Sequence, residues 1–279
     1  MAHNDNKRAF FRRFERERGC TMKVAILAGG LGSRLGEETT VRPKPMVEIG
    51  GKPILWHIMK IYSHYGFDEF VVMCGYKGES IKEYFLNYRE NSSDITVDLS
   101  DGCVEIHKNR AEPWKITLCD TGADTLTGGR IAKIKKYVGG GTFMLTYGDG
   151  VADIDIPALL ECHRRSGKIA TLTAVRPTSR FGALRISEDG GISDFREKPE
   201  GSDSWINGGF FALEPEVFDY IPDSPDTVWE RGPLNRLSED GQLNAYMHGG
   251  FWRPMDMLKD KKELNELWGS GRAPWKIWE

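Results

Sequence analysis

The segment Leu27-Ala28-Gly29-Gly30-Leu31-Gly32-Ser33-Arg34-Leu35 holds three glycines and one arginine. Glycine lets a backbone turn sharply and approach a ligand closely, and it leaves N–H groups free to hold oxyanions. A continuous apolar run, Val24–Ala28, precedes the loop. The loop therefore belongs at the carboxyl end of a buried strand, where open α/β sheets bind ligands. A plain strand-to-helix turn would need the glycines but not Arg34, and the arginine favours phosphate contact. Two common nucleotide motifs are excluded. No Gly-x4-Gly-Lys-Ser/Thr run exists, and the Gly-x-Gly-x-x-Gly pattern that starts at Gly30 fails at Leu35. A second basic feature follows in Arg42-Pro43-Lys44-Pro45-Met46. Prolines on both sides of Lys44 are expected to hold it in extended backbone and aim its ammonium. Alone, that run also fits a surface lysine in a polar loop.

Carboxylates supply the complementary chemistry. Asp149 lies in Gly148-Asp149-Gly150, and Asp256 lies in Pro254-Met255-Asp256 ahead of a helical pattern. By themselves both fit turn or cap residues, the commonest use of Asp at such places. Asp153 and Asp155 read as loop residues. Glu197-Lys198-Pro199 places another lysine before a proline, and by itself fits a solvated strand end.

The elements that must position these groups follow from periodicity. Helical spacing is read at Ile54–Tyr65, at Ile81 through Tyr88, at Ile131 through Val138, at Ile156–Arg165 and at Leu258–Trp268. Strands are read at Phe70–Cys74, Ile95–Leu99, Val104–His107, Ile116–Cys119, Thr142–Tyr147 and Ala170–Val175. A hairpin is expected from Ala183–Ile186 and Ile192–Phe195 across Gly190-Gly191, with further strands at Phe210–Leu213 and Ala245–His248. This succession implies an α/β fold: a Rossmann-like, mostly parallel mixed sheet flanked by helices, with a β-rich lobe from the later half. Residues 1–21 read as a functionally neutral extension, in which Phe10, Phe11 and Phe14 share helical spacing. One domain is expected over 22–279.

Composition narrows the class. The net charge of −3 over 279 residues does not suit a bulk nucleic-acid or anionic-membrane binder. A phosphorylated substrate would have to be met by individual lysines and arginines. The five cysteines form no CxxC or Cys/His ligand spacing, and imply reduced thiols in a cytoplasmic protein. No apolar run reaches the length of a membrane span.

Taken together, Gly29 to Arg34 and Lys44-Pro45 resemble the signature of the sugar nucleotidyltransferases, the nucleotide-sugar pyrophosphorylases. The resemblance runs from Met22 to Trp278. It takes in Gly148–Gly150, Phe181-Gly182, Glu197–Pro199, Asn207–Phe211 and Asp256. Within that family, Glu37-Glu38-Thr39, KPMVEIGGKPILWHIMKIY, CGYKGESIKEYF, TYGDGVAD and the ending APWKIW are similar to the cytidylyltransferase branch.

The resemblance implies a reaction and a site. CTP and glucose 1-phosphate would be the substrates, CDP-glucose and pyrophosphate the products, and dideoxy sugars of surface polysaccharides the destination. The loop Leu27, Ala28, Gly29, Gly30, Leu31, Gly32, Ser33 and Arg34 would hold the triphosphate together with Lys44 and Gly148. Arg34 and Lys44 would offset charge at the reacting phosphates, and Lys198 would bind the sugar phosphate. Gly182, Glu197 and Asn207 would line the sugar site. Asp149 and Asp256 would share one Mg2+. A base-reading role falls on the region of Thr125 and Arg130: Thr125 could bond a pyrimidine edge, and Arg130 a carbonyl or phosphate. Thr127-Gly128-Gly129 could equally just begin the next helix. A homo-oligomer, such as a hexamer, is also implied. The same reaction with UTP or dTTP is the nearest alternative. A nicotinamide oxidoreductase is disfavoured by Leu35, and a binder without turnover by the full set Arg34, Lys44, Asp149, Lys198 and Asp256.

Overall fold

A strand as apolar as Val24–Ala28 has to be covered on both faces. The computed structural model describes residues 22–32, 35–177, 183–186, 192–196 and 205–279. It places that strand, β1, inside a seven-stranded sheet. In chain order the elements continue as α1 (Glu37–Val41), β2 (Glu48–Ile49), β3 (Lys52–Pro53), α2 (Ile54–His64), β4 (Glu69–Cys74) and α3 (Gly78–Leu86). Next come α4 (Tyr88–Asn91), β5 (Asp94–Val97), β6 (Val104–Lys108), β7 (Lys115–Asp120), α5 (Thr127–Lys133) and α6 (Lys135–Val138). The later half holds β8 (Phe143–Tyr147), β9 (Gly150–Ala152), α7 (Ile156–Ser166), β10 (Ala170–Val175), β11 (Ala183–Ile186) and β12 (Ile192–Arg196). It ends with β13 (Ile206–Leu213), α8 (Pro233–Glu239), β14 (Leu243–His248), β15 (Trp252–Pro254) and α9 (Leu258–Gly269).

The sheet order is β14-β10-β13-β8-β1-β4-β7. Strands β8, β1, β4 and β7 run parallel, as do β10 and β14. Only β13 is antiparallel to both its neighbours, β10 and β8. The expected mixed, mostly parallel sheet is thus found, and the expected hairpin appears as the antiparallel pair β11–β12. Alternate residues of β1 feed two cores. Val24, Ile26 and Ala28 join the side covered by α2, and Ala25 joins the side covered by α5 and α6. On the first side Ile54, Leu55, Ile58, Met59 and Tyr62 are buried at helical spacing. Each such side chain contributes about 1.5–3 kcal/mol on burial, so α2 is held by this face and not by propensity.

The run from Ile131 to Val138 is two short helices, α5 and α6, broken at Ile134. Three apolar positions in eight residues give the helical period but carry no signal for that break. At the C-terminal end, Trp275 is fully buried and stacks with Trp268 and Phe251. Its indole N–H donates to His57 Nδ1 at 3.4 Å, and His57 Nε2 lies 2.9 Å from the carbonyl of Ile49. Both contacts are satisfied by one neutral tautomer, with the proton on Nε2. Among the described residues no helix is long and apolar enough to cross a membrane.

Candidate active site

Strands β1 and β8 are parallel neighbours, with Leu27 opposite Tyr147. Their carboxyl ends therefore deliver the glycine loop and the Gly148-Asp149-Gly150 turn to the same edge. The Gly148 N–H donates to the Leu27 carbonyl at 2.9 Å. A Cβ at Gly148 would lie 2.5 Å from that oxygen, so the close approach requires glycine. Asp256, remote in sequence, is brought alongside by a short ladder. β9 pairs antiparallel with β15, placing Pro254 opposite Gly150, and Met255 N–H donates to the Asp149 carbonyl at 2.7 Å.

Helix α9 begins just after Asp256, yet Asp256 is not its cap. Asp260 Oδ2 accepts the backbone N–H groups of Asp256 at 3.0 Å and Met257 at 2.9 Å. That satisfies the N–H groups of the cap residue Met257 and of Asp256 before it and leaves the Asp256 carboxylate for other work. Asp155 does cap a helix, accepting Ala158 N–H at the start of α7, and Asp153 pairs with His248 at 3.1 Å. The loop role expected for these last two aspartates fits both contacts.

Lys44 joins the two carboxylates. Its Nζ donates to Asp149 Oδ2 and to Asp256 Oδ1, each at 2.6 Å. Burial works against the charged ammonium, but the two carboxylates outweigh it and raise the lysine's pKa above its ordinary value. The extended backbone expected at Lys44 is corrected. Lys44 opens a 3-10 turn, Lys44–Met46, closed by Met46 N–H to Pro43 O at 2.8 Å and Val47 N–H to Lys44 O at 3.1 Å. Pro43 is the extended residue and sets the entry. Gly32, at φ +63°, lies under the lysine stem, where a Cβ would come within 2.8 Å of Lys44 Cβ.

Two cavities meet at this cluster. The larger, about 580 Å³, is walled by the glycine loop from Gly29 to Gly32, by Lys44, and by the segment Ala123–Thr127. The smaller, about 220 Å³, is walled by Gly208, Gly209 and Trp252. Tyr147, Asp149 and Asp256 line both. Thr125 lines the larger cavity, and its hydroxyl accepts Lys133 Nζ at 3.2 Å.

Arg130 also borders the larger cavity, but its terminal N–H groups are committed within the protein. Nη1 donates to Thr121 Oγ1 (2.6 Å), Gly122 O (2.7 Å) and Cys74 O (3.3 Å), and Nη2 to Gly29 O (2.9 Å) and Ala123 O (3.0 Å). Burial lowers its pKa, yet a guanidinium stays charged in proteins. These bonds give Arg130 a structural role in addition to its place on the cavity wall. Arg130 clamps the glycine loop to the ends of β4 and β7, and so shapes the cavity. Gly29 and Gly75 are flat on either side of it: a Cβ at either would lie 2.3 or 2.2 Å from Nη1. Gly29 is therefore needed to admit the guanidinium.

Asn207 immediately precedes the glycine wall of the smaller cavity, and its amide contacts Tyr147 and Gly209 N–H. Ser33, Arg34, Gly182, Glu197 and Lys198 lie outside the described residues. Tyr147, Glu230 and Trp252 were not singled out by sequence. Glu230 lines the larger cavity and Trp252 the smaller. Tyr147 belongs to the TYGDGVAD run but carries no role in it, and a glutamate between Trp229 and Arg231 matches no motif. Among the described residues no three His, Cys, Asp or Glu side chains converge on one point; Asp149 and Asp256 are the pair that could hold a metal here.

The profile of the Nucleotidyl transferase family matches residues 23–253. The chain is 55% identical to glucose-1-phosphate cytidylyltransferase of Salmonella typhi over 259 residues, covering 92% of this chain and all of that protein. It is 50% identical to a probable glucose-1-phosphate cytidylyltransferase of Bacillus subtilis, covering 92% of this chain and all of that one. Among solved structures, HddC from Yersinia pseudotuberculosis complexed with GMP-PN superposes with a TM-score of 0.66 at 22% identity, covering 88% of this chain and 99% of that one. UDP-glucose pyrophosphorylase complexed with UDP-glucose gives 0.60 at 17% identity, covering 91% and 100%. At those identities the structural likeness speaks for the fold.

Proposed function

The chain belongs to the Nucleotidyl transferase family, and on that footing we propose that it transfers the cytidylyl group of CTP to glucose 1-phosphate, giving CDP-glucose and pyrophosphate. The choice of substrates rests on the relatives named above, which cover nearly the whole chain. The observation that carries the mechanism is the Lys44–Asp149–Asp256 cluster at the junction of the two cavities. Two anionic substrates held in adjoining cavities have to react where the cavities meet.

The triphosphate lies along the Gly29–Gly32 loop, whose N–H groups hold oxyanions. The glucose 1-phosphate occupies the smaller cavity. An oxygen of its phosphate attacks the α-phosphorus in line; that P–O bond forms as the bond to the β-phosphate oxygen breaks, and the electron pair leaves with pyrophosphate. The attacking phosphate is already ionised near neutral pH, so no general base is required. Negative charge spreads over phosphoryl oxygens in the transition state, and a fixed cation stabilises it better than water does. Lys44 supplies one such charge from the turn that fixes it. By the family resemblance Arg34 and Lys198 supply others.

The donor set suits Mg2+. Asp149 and Asp256 offer oxygen only, both reach one cationic point, and with Lys44 the cluster carries a net charge of −1. Two carboxylates plus substrate phosphates and water is the ligation Mg2+ favours. When bound there, the ion would neutralise charge on the reacting phosphates. A direct test is pyrophosphate release with each nucleoside triphosphate in turn, with glucose 1-phosphate and Mg2+. Release with CTP supports the reading, and none with CTP refutes it.

A further inference from the structure

Along the wall between the two cavities runs a chain of hydrogen bonds whose direction is fixed at every link. The Glu230 carboxylate can only accept. Tyr147 Oη–H donates to its Oε1 at 2.6 Å, and Thr127 Oγ1–H to its Oε2 at 2.8 Å. With its proton committed, the Tyr147 oxygen accepts from Asn207 Nδ2 at 3.1 Å. Asn207 Oδ1 in turn accepts the Gly209 N–H at 2.8 Å. The amide of Asn207 therefore has one allowed orientation, which among the described residues leaves one N–H and one oxygen lone pair for a ligand. Burial, reinforced by the Glu230 charge and hydrogen bond, keeps the Tyr147 phenol protonated far above its ordinary range.

We propose that Tyr147 and Glu230 are positioning residues for the sugar phosphate: Glu230, standing in the larger cavity, fixes the Asn207 amide through the Tyr147 hydroxyl. The inference rests on the reading of Asn207 as a sugar contact. Its particular content is that sugar binding is anchored from the nucleotide side of the wall. Tyr147 is the only link in this chain that lines both cavities, so its hydroxyl is the place to cut.

The test uses the purified full chain and three variants: Tyr147→Phe, Asn207→Ala and the double variant. Initial rates are measured against glucose 1-phosphate at saturating CTP, and against CTP at saturating glucose 1-phosphate. Tyr147→Phe raises the KM for glucose 1-phosphate about tenfold, while the KM for CTP and kcat stay within about threefold, as expected when a ground-state contact is misplaced. The double variant is no worse than Asn207→Ala, because both changes remove the same contact. A merely structural loss would move the CTP KM and kcat as well. A raised KM in Asn207→Ala with an unchanged one in Tyr147→Phe overturns the inference alone, as does a double variant whose effect is the product of the two singles. An unchanged KM in Asn207→Ala overturns the sugar reading itself.

Discussion

The clamp formed by Arg130 makes Gly75 a sensitive position behind the cavity wall. Gly75→Ala changes no backbone preference, because Gly75 is not among the residues with positive φ. The added Cβ would nevertheless sit 2.2 Å from Arg130 Nη1 and 2.7 Å from Cζ and Nη2. Ordinary contact lies about 1 Å further out, and the far end of an arginine would normally yield that distance. Here it is buried and holds five acceptors between 2.6 and 3.3 Å, so a shift of that size breaks several bonds at once. A hydrogen bond to a charged group contributes about 1.5–3 kcal/mol, and losing two of them costs roughly 3–6 kcal/mol. That is a large part of a typical stability of about 5–15 kcal/mol. At about 2–4 °C per kcal/mol for a chain of this size, Tm should fall by roughly 10 °C. The released carbonyls belong to Gly29, Gly122 and Ala123, and Gly29 and Ala123 wall the cavity, so the KM for CTP should rise as well. Gly140→Ala is the control, since a Cβ there meets nothing within 4 Å. Differential scanning calorimetry and steady-state kinetics on the two variants settle the matter. If Gly75→Ala matched Gly140→Ala in both Tm and CTP KM, the clamp would be no more than a surface contact.

Lys44→Ala should lower kcat by about 10²-fold, the scale for losing one preorganised transition-state contact, and a stopped-point pyrophosphate assay reads it; a loss under about threefold would exclude Lys44 from the chemistry. Asp149→Asn and Asp256→Asn should each abolish most activity with circular dichroism unchanged, and EDTA should do the same to the unaltered chain; full turnover in EDTA would remove the metal. His57 should make the fold acid-labile. Burial, with a smaller contribution from the Lys52 charge, pushes its pKa from 6.5 down to about 4, so the unfolded chain binds the extra proton first and stability drops as pH falls from about 6.5 toward about 4. At 1.36 kcal/mol per unit this costs up to about 3 kcal/mol, and a second proton on Nδ1 would also face the Trp275 N–H donor. Urea titrations at pH 7 and pH 4.5 should show a smaller acid loss in His57→Gln, and equal losses would contradict the assignment.

Much of this arrangement was legible in the amino-acid order because its signals are local. The apolar run of β1, the helical spacing of Ile54 through Tyr62 and the turn at Gly148–Gly150 each announce themselves within a few residues, and the resemblance supplied the long-range pairing of Asp149 with Asp256. The β9–β15 ladder that creates this pairing is three residues on each side, too short to carry a periodicity. Pro43 and Pro45 suggested extended backbone at Lys44, whereas the chain closes a 3-10 turn there; proline restricts φ but does not forbid a tight turn when the following N–H groups find carbonyls. The clamp role of Arg130 has no signature in the sequence, where an arginine near a ligand cavity reads only as a ligand group. Whether its donors are already occupied depends on carbonyls from three separate loops, which no spacing records. The roles of Glu230 and Tyr147 escape the sequence for the same reason: their meaning lies in each other and in Asn207.

Direct displacement is tested most directly by the fate of the α-phosphorus of CTP. CTP labelled at that phosphorus, incubated with the protein, glucose 1-phosphate and Mg2+ and then quenched in denaturant, should yield all transferred label in CDP-glucose, one pyrophosphate per product, and none on the protein. Label retained on the denatured protein, or product formed without pyrophosphate, would contradict direct displacement at the Lys44–Asp149–Asp256 junction.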